Sequence, residues 1–462
     1  MPPSAPPARD VLADAARRLH AVEASRFVHG RPKAAALDAR RGAGFVGNVP
    51  LHWMRDWPTP FPVVVERAEG ARLVDIDGHA LVDFCLGDTG AMFGHTPAPI
   101  ARALAARATG GLTAMLPTAD AAVVGPLLAA LFGLPHWQVA TTASDANRFA
   151  LRLARAATGR GKILVFDGCY HGAVDETLVD LVDGRTVARK SLLGQAFDPA
   201  AATVAVPFND VAALERALSA HDVACVIAEP VMTNCSMILP EPGFHDALRR
   251  LTRTAGTLLL VDETHTLSTG LGGYTAVHRL EPDILVVGKA VAGGVPTSLF
   301  GMSDAVAAAM TAERDPEEHG YSGIGTTLSG SALQLACLRA CLEEVMTAEA
   351  YAAMNDGADI VEAGFAETIA RFGLPWHVAR VGARLEVVFA PEPLRNAAEA
   401  RAAALPAVER LLHLGLVNRG FLLTPFHNMV LVSPATTAAE ADGLVAAFAD
   451  IVGTLVAGGN EE

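Results

Sequence analysis

The sequence predicts an α/β protein with a large domain, whose mostly parallel sheet is flanked by helices, and a smaller α/β domain built from the N- and C-terminal segments. Three observations carry this expectation. The 462 residues exceed the ~250–300 over which one hydrophobic core usually grows. Between about 97 and 345, apolar strand candidates alternate with segments whose apolar residues recur at helical spacing, the pattern of a doubly covered sheet. Two of the strand candidates, within 257–266 and 283–294, are leucine-rich or β-branched runs that end abruptly at charged residues, as buried parallel strands do where their carboxyl ends open into a site.

In chain order, the first ten residues are rich in Pro and Ala and read as disordered, and a helix is expected from about 11 to 25. The segment 70–90 reads as two short strands around the Asp-Gly of DIDGH, because Asp-Gly supplies the positive φ that a tight hairpin requires. The large-domain strand candidates are QVATT, KILVFDG, ATVAVPFN, VACVIAEPV, TLLLVDE, DILVVGK and TSLFGMS. The helices between them include DANRFALRLARAATG, VAALERALSAH and FHDALRRLTRTAG. A long helix pair follows around 331–373, and RLEVVFAP and MVLVSPA then alternate with helices. The expected divisions are 1–95, 96–345 and 346–462.

Composition narrows the function. Apolar residues make up 51%, ample for a core, and the formal charge of −14 with no basic patch argues against nucleic acid or an anionic membrane as partner. The six cysteines form no CxxC pair and no metal-ligand spacing, so no metal is expected. Cys337 and Cys341, at i,i+4, read as helix packing. No basic start with an apolar core marks the N-terminus, and the apolar stretch 121–135 is too short to span a bilayer. A cytoplasmic enzyme of small molecules is the expectation.

Two strand ends carry the chemistry: TLLLVDETHT closes on Asp262 and Glu263, and DILVVGKAVAGG closes on Lys289. A lysine amine can form a Schiff base with an aldehyde cofactor, while an aspartate can keep a pyridine nitrogen protonated so that the ring stores electrons. That pairing is the chemistry of pyridoxal 5'-phosphate, although a structural ion pair would use the same residues. The turn before DANRFALRLARAATG places Ala143, Ser144 and Asp145 at a helix N-terminus, suited to a phosphate or to an ordinary cap. FDGCYHG places Tyr170 and His171 at a strand end, where an aromatic ring can stack on a flat cofactor or simply pack. VIAEPVMTN sets Glu229 and Asn234 after another strand, with Asn234 suited to a phenolic oxygen or to capping a turn. GIGTTLSGSAL supplies Thr326, Thr327 and Ser329 before a helix.

Taken together and in order, FDGCYHG, EPVMTN, LLVDE, GKAVAGGVP and GTTLSGSAL make this chain resemble the class III aminotransferases, fold-type I pyridoxal phosphate enzymes. It looks most like the branch containing glutamate-1-semialdehyde aminomutase and β-amino-acid transaminases. The resemblance runs from about residue 45 to the C-terminus. It implies that Lys289 bonds to the cofactor aldehyde and later shuttles a proton, and that Asp262 pairs with the pyridinium nitrogen. Tyr170 and Thr264 would flank the ring, Asn234 would sit near its hydroxyl, and Glu229 would be a further cofactor-binding residue. Ala143 and Ser144 would hold the phosphate with Thr327 from a second subunit, so a homodimer is implied.

Departures from the family pattern accompany it. Thr141 to Ala146 replace an Asn-Ser-Gly-Thr-Glu-Ala turn, Thr264 stands where Val is common, and His265 occupies a position usually apolar. The arginine common after this motif is missing from LSTGLGGY. His265 is a candidate for tuning protonation or touching substrate, with a buried structural histidine as the other reading. Asp88 in GDTGAMFGH is a candidate pocket residue or local cap, and Arg55 in LHWMRDW is a candidate for the substrate carboxylate.

The expected activity is a transaminase exchanging an amino group between an amine or amino acid and a keto acid or aldehyde by ping-pong steps. An aminomutase or racemase needs the same lysine and aspartate and remains open. A nicotinamide-dependent oxidoreductase is disfavoured because no GxGxxG follows an early strand. A binding protein that merely kept the fold would have had little reason to keep both Lys289 and Asp262.

Overall fold

The computed structural model describes residues 8–40, 44–314, 317 and 320–459, so the reading of the first ten residues as disordered lies almost wholly outside the described residues. The chain divides into two compact units. One comprises residues 97–351 with Leu394–Ala402, and the other gathers residues up to Thr96, Ala352–Pro393 and Ala403 onwards.

The first unit is built on a seven-stranded sheet. Its strands run in the spatial order His136–Ala140, Ser298–Met302, Ile284–Val287, Leu258–Asp262, Val223–Ala228, Lys162–Phe166 and Thr203–Val206. Ser298–Met302 is antiparallel to both neighbours, while the pairings from Ile284–Val287 to Thr203–Val206 are parallel. All seven sequence candidates are therefore strands of one sheet. Val223–Ala228 and Ile284–Val287 are buried at every position, the consequence of helices on both faces. Phe166, Phe208 and Phe244 pack edge to face with centroids 4.6–5.6 Å apart, locking helix Phe244–Ala255 onto the sheet. A small hairpin, Val179–Val182 with Arg185–Ala188, was not anticipated. Asp183 and Gly184 at its tip both have positive φ, so the Asp-Gly signal was present in LVDGRTV.

The second unit contains the expected hairpin, Arg72–Asp75 antiparallel to Ala80–Asp83, in a four-stranded sheet completed by Val65–Glu69 and Phe421–Leu422. A three-stranded sheet holds His377–Val381, Arg384–Val388 and Val430–Leu431. The first helix runs from Arg9 to Gly30, longer than expected at both ends. Arg31 follows it, buried, with its Nε 3.0 Å from the buried Asp75 and its guanidinium 4.4 Å from the Phe27 ring centroid. The final helix, Ala438–Gly459, is long and apolar enough to cross a membrane. Leu444, Phe448, Ile451, Val452 and Leu455 on it belong to the buried core of this unit, together with Phe365 and Leu411, which identifies it as a core helix.

Candidate active site

The carboxyl ends of the parallel strands in the first unit deliver the candidate residues to one edge of the sheet, the usual location of sites in open α/β sheets. Asp262 is the last residue of its strand, Glu229 directly follows Ala228, and Lys289 is one residue beyond Gly288 after Val287. The helix beginning at Ala143 follows the edge strand ending at Ala140.

Asp262 is buried and clamped. Its Oδ1 accepts from Thr264 Oγ1 at 2.5 Å and from the Thr264 N–H at 3.1 Å, and its Oδ2 accepts from Asn147 Nδ2 at 2.8 Å. His171 Nδ1 lies 3.0 Å from the same Oδ2. Burial alone would raise this carboxyl's pKa, but bonds to His171, Thr264 and Asn147 and the histidine charge hold it below the ordinary carboxylate value. Burial would correspondingly lower His171, yet the Cys169 sulfur and the Asp262 carboxylate raise it well above an ordinary histidine. Asp262 is thus a fixed anion, the state needed to hold a proton on a pyridine nitrogen.

Lys289 occupies a left-handed backbone conformation with φ +52°, a sparsely populated region for a side chain with a Cβ and one that recurs at functional sites. Its Nζ lies 2.5 Å from His265 Nε2. Behind that contact, His265 Nδ1 is 2.7 Å from Thr233 Oγ1, and Thr233 Oγ1 is 2.9 Å from Glu229 Oε2. Glu229 also accepts from the N–H groups of Tyr170 at 3.1 Å and Thr233 at 3.2 Å, and from Asn234 Nδ2 at 3.0 Å. One buried carboxylate therefore fixes the Tyr170 and Asn234 loops together, and it leaves the Tyr170 side chain half exposed.

The helix N-terminus has the features of an anion cup. Thr142 caps it, its hydroxyl taking the Asp145 N–H and its carbonyl the Ala146 N–H, which leaves the N–H groups of Ala143 and Ser144 available to an anion. Ser144 Oγ accepts from the Ala173 N–H at 3.0 Å. Two glycines press against this cup: a Cβ on Gly172 would collide with Ser144, and one on Gly288 would lie 3.0 Å from the Ala143 methyl. An amine, a fixed carboxylate, an exposed aromatic ring and an anion cup on one sheet edge fit a phosphorylated pyridine aldehyde. Thr327 is exposed in a loop where Thr326 and Ser329 share a 2.8 Å hydroxyl contact.

Glu263, next to Asp262, is also fully buried. It accepts from Thr266 Oγ1 at 2.5 Å, from the Tyr274 N–H at 3.1 Å and from the Thr275 N–H, and it ties the chain after the strand to helix Gly273–His278. Burial pushes its pKa up against those bonds.

The two remaining candidates belong to the other unit. Arg55, at the end of the turn His52–Arg55, is ion-paired with Asp38. Asp88 sits in a run of four residues, Leu86 to Thr89, all with positive φ, entered through Asp83, whose Oδ1 accepts the Cys85 and Leu86 N–H groups at 2.8 Å each. Sequence reading noted His171 only as a strand-end neighbour of Tyr170 and gave no role to Asn147 or Thr233. Asn147 had a visible signal, being the one amide on the apolar face of DANRFALRLARAATG; Thr233 had none, since its contact with His265 spans two strands.

This fold and edge arrangement are those of the fold-type I pyridoxal phosphate-dependent transferases. Residues 53–452 match the family Aminotransferase class-III, and the chain belongs to it. The chain is 32% identical over 403 residues to glutamate-1-semialdehyde 2,1-aminomutase of Desulfosudis oleivorans, covering 84% of this chain and 92% of that protein. The crystal structure of a glutamate-1-semialdehyde-aminomutase from Pseudomonas aeruginosa PAO1 superposes with a TM-score of 0.93 at 46% identity, covering 96% and 99% of the two chains. A variant of that protein has been solved in complex with PMP. A β-phenylalanine aminotransferase from Variovorax paradoxus gives a TM-score of 0.83 at 26% identity over 96% and 98%. Membership of this family sets aside the nicotinamide oxidoreductase.

Proposed function

We propose that the protein is a pyridoxal phosphate-dependent aminomutase of the class III family, moving an amino group between adjacent carbons of one amino aldehyde. Glutamate-1-semialdehyde is the substrate this reading names. The catalytic part rests on one observation: the Lys289 amine and the clamped, ionised Asp262 stand at the ends of adjacent strands. The choice of reaction is supported by the relatives, since the 46% identical structure and the 32% identical protein both carry the aminomutase name.

The cofactor is pyridoxal 5'-phosphate, which when bound withdraws electrons from the substrate carbon bearing the amine. Asp262 would hold the proton on the pyridine nitrogen, its own oxygens kept as acceptors by Asn147, His171 and Thr264. Lys289 Nζ would hold the aldehyde and, when free, would take a proton from one substrate carbon and return one at another. Tyr170 would cover one ring face and Thr264 the other, while Asn234, fixed by Glu229, would serve the ring hydroxyl. Ala143 and Ser144 receive the phosphate, and in the proposed homodimer Thr327 of the partner subunit completes the cup. Asp88, Arg55 and His265 are the proposed substrate-side residues. A cytoplasmic location agrees with six cysteines that form no disulfide with one another.

Two-substrate transamination, the expectation from sequence, is the second reading, and the likeness to the β-phenylalanine aminotransferase favours it. The deciding experiment supplies cofactor-loaded protein with glutamate-1-semialdehyde alone. Conversion to the isomer carrying the amine on carbon 1, with no added donor or acceptor, is the expected result. Turnover only when an amine and a separate keto acid are both present would assign the transaminase.

A further inference from the structure

We infer that the cavity between helix Phe244–Ala255 and the segment 279–281 is a second small-molecule site, suited to a monocarboxylate with an apolar body.

The cavity lies within the first unit and has a volume of about 440 Å³, the size of a small-molecule site and more than a simple ion fills. Its apolar lining comes from Ala228, Leu259 and Val261 on two neighbouring strands and from Leu248 on the helix packed against them, all four buried. Neither Asp262 nor Lys289 lines it.

Four arginines share the lining with these groups. Arg249, Arg250 and Arg253 belong to the helix, and Arg279 to the other segment. Arg249 is bidentate on Asp283 at 2.7 and 3.0 Å, while its Nε is buried with no hydrogen-bond partner among the described residues. Arg253 lies 2.5 Å from Glu281, a contact that ties the helix to that segment. Arg250, Arg279 and Asp246, all exposed, form no ion pair among the described residues. Four guanidiniums thus meet three carboxylates, those of Asp246, Glu281 and Asp283, and one positive charge is left over in a chain whose formal charge is −14.

That surplus selects the ligand. A guanidinium binds a carboxylate through two parallel N–H bonds, and one surplus charge is matched by one carboxylate. A phosphomonoester, carrying about −1.5 to −2 at neutral pH, would leave excess negative charge beside Asp246 and Glu281. The apolar lining calls for an apolar body behind the head group.

Arg279 adds an independent indication. It follows helix Gly273–His278 at φ +55°, the left-handed conformation in which helices commonly end on glycine. An arginine there strains the backbone, and its guanidinium gains no acid among the described residues in return. A bound carboxylate would engage it, and would bring an acceptor to a cavity whose lining includes the orphaned Arg249 N–H.

The test titrates 1-naphthoate into the cofactor-loaded, full-length protein by calorimetry at low ionic strength, where exposed charges are least screened. 1-Naphthyl phosphate and acetate probe the head group and the body. One saturable site for 1-naphthoate is expected, with 1-naphthyl phosphate weaker, and acetate weaker by at least about tenfold because it leaves the apolar lining uncovered. The double variant Arg250→Gln with Arg279→Gln, at two exposed and unpaired positions, is expected to weaken 1-naphthoate by about tenfold or more. Glu281→Gln releases Arg253 and raises the surplus to two charges, so it is expected to tighten 1-naphthoate by about threefold, a direction that structural damage would not give. Failure of 1-naphthoate to saturate, or equal affinity in the parent and the double variant, would overturn the site. Tighter binding of 1-naphthyl phosphate than of 1-naphthoate to the parent would overturn the assignment to a monocarboxylate.

Discussion

His171 Nδ1 lies 3.0 Å from Asp262 Oδ2 with both side chains buried, so the group proposed to hold the cofactor's ring proton is itself held by a charged histidine. Removing one member of a buried pair strands the other, at a cost of about 3–5 kcal/mol. Asp262→Asn is expected to lower turnover by about 10²–10³-fold, as loss of a preorganised electrostatic group does. The pair also has a pH signature. Asp262 is depressed from 3.8, so its stabilisation is full above that value and is lost as pH falls through the depressed one. His171 is raised from 6.5, so its stabilisation is full below 6.5 and is lost as pH rises through the raised value. Thermal melts of Asp262→Asn and parent should therefore differ most between about pH 4 and 6.5, the difference shrinking as pH falls through the depressed Asp262 value or rises through the raised His171 value.

Gly172 separates packing at the proposed phosphate cup from backbone strain. Its φ is +84°, and an added Cβ would collide with Ser144 Oγ and lie 2.9 Å from Ser144 Cβ. Gly184, at φ +73°, has open space around it. Alanine at either site strains the turn by about 1–3 kcal/mol. Gly172→Ala should in addition weaken pyridoxal phosphate binding at least about tenfold in an absorbance titration, because displacing Ser144 moves the cup. Gly184→Ala should lower the melting temperature and leave cofactor affinity unchanged.

Glu263 is fully buried and accepts from a hydroxyl and two backbone N–H groups. Glu263→Gln turns one acceptor oxygen into a donor facing a donor, and Glu263→Ala leaves all three donors unsatisfied. Each buried orphan costs about 1–3 kcal/mol, so Ala should be the more damaging in urea unfolding.

The parallel sheet was legible because its strands are nearly uniform apolar runs ending in charge, and Asp262 and Lys289 declared themselves by ending two of them. Family motifs extended this to Tyr170, Asn234 and the cup. The residues that set the state of those groups were not legible. Asn147 reaches Asp262 across 115 positions and Thr233 meets His265 across 32, distances over which local periodicity carries no information. The hairpin at 179–188 was overlooked although its Asp-Gly turn was in plain view, because its strands are short and only partly buried.

Two further histidines, one buried and one partly buried, should respond to acid in the sense opposite to His171. His413 is wholly buried in the second unit, with Trp57 edge-on at a ring-centroid separation of 5.6 Å. Burial lowers its pKa to about 3, only partly offset by the Asn428 side chain. His245 in the first unit is lowered by burial to about 4 against its bond to the Pro230 carbonyl. Each is neutral when folded and takes up a proton when unfolded below the ordinary value of 6.5, so each makes stability fall as pH drops through that value. Between pH 7 and 5 the loss from His413 amounts to about 2 kcal/mol as an upper bound. His413→Leu keeps the volume and removes the proton site. Its unfolding free energy, measured by urea at the two pH values, should therefore fall by about 2 kcal/mol less than the parent's. A parallel fall in both proteins would mean that His413 gains a partner on acidification, and that the acid sensitivity of this unit resides in its carboxylates instead.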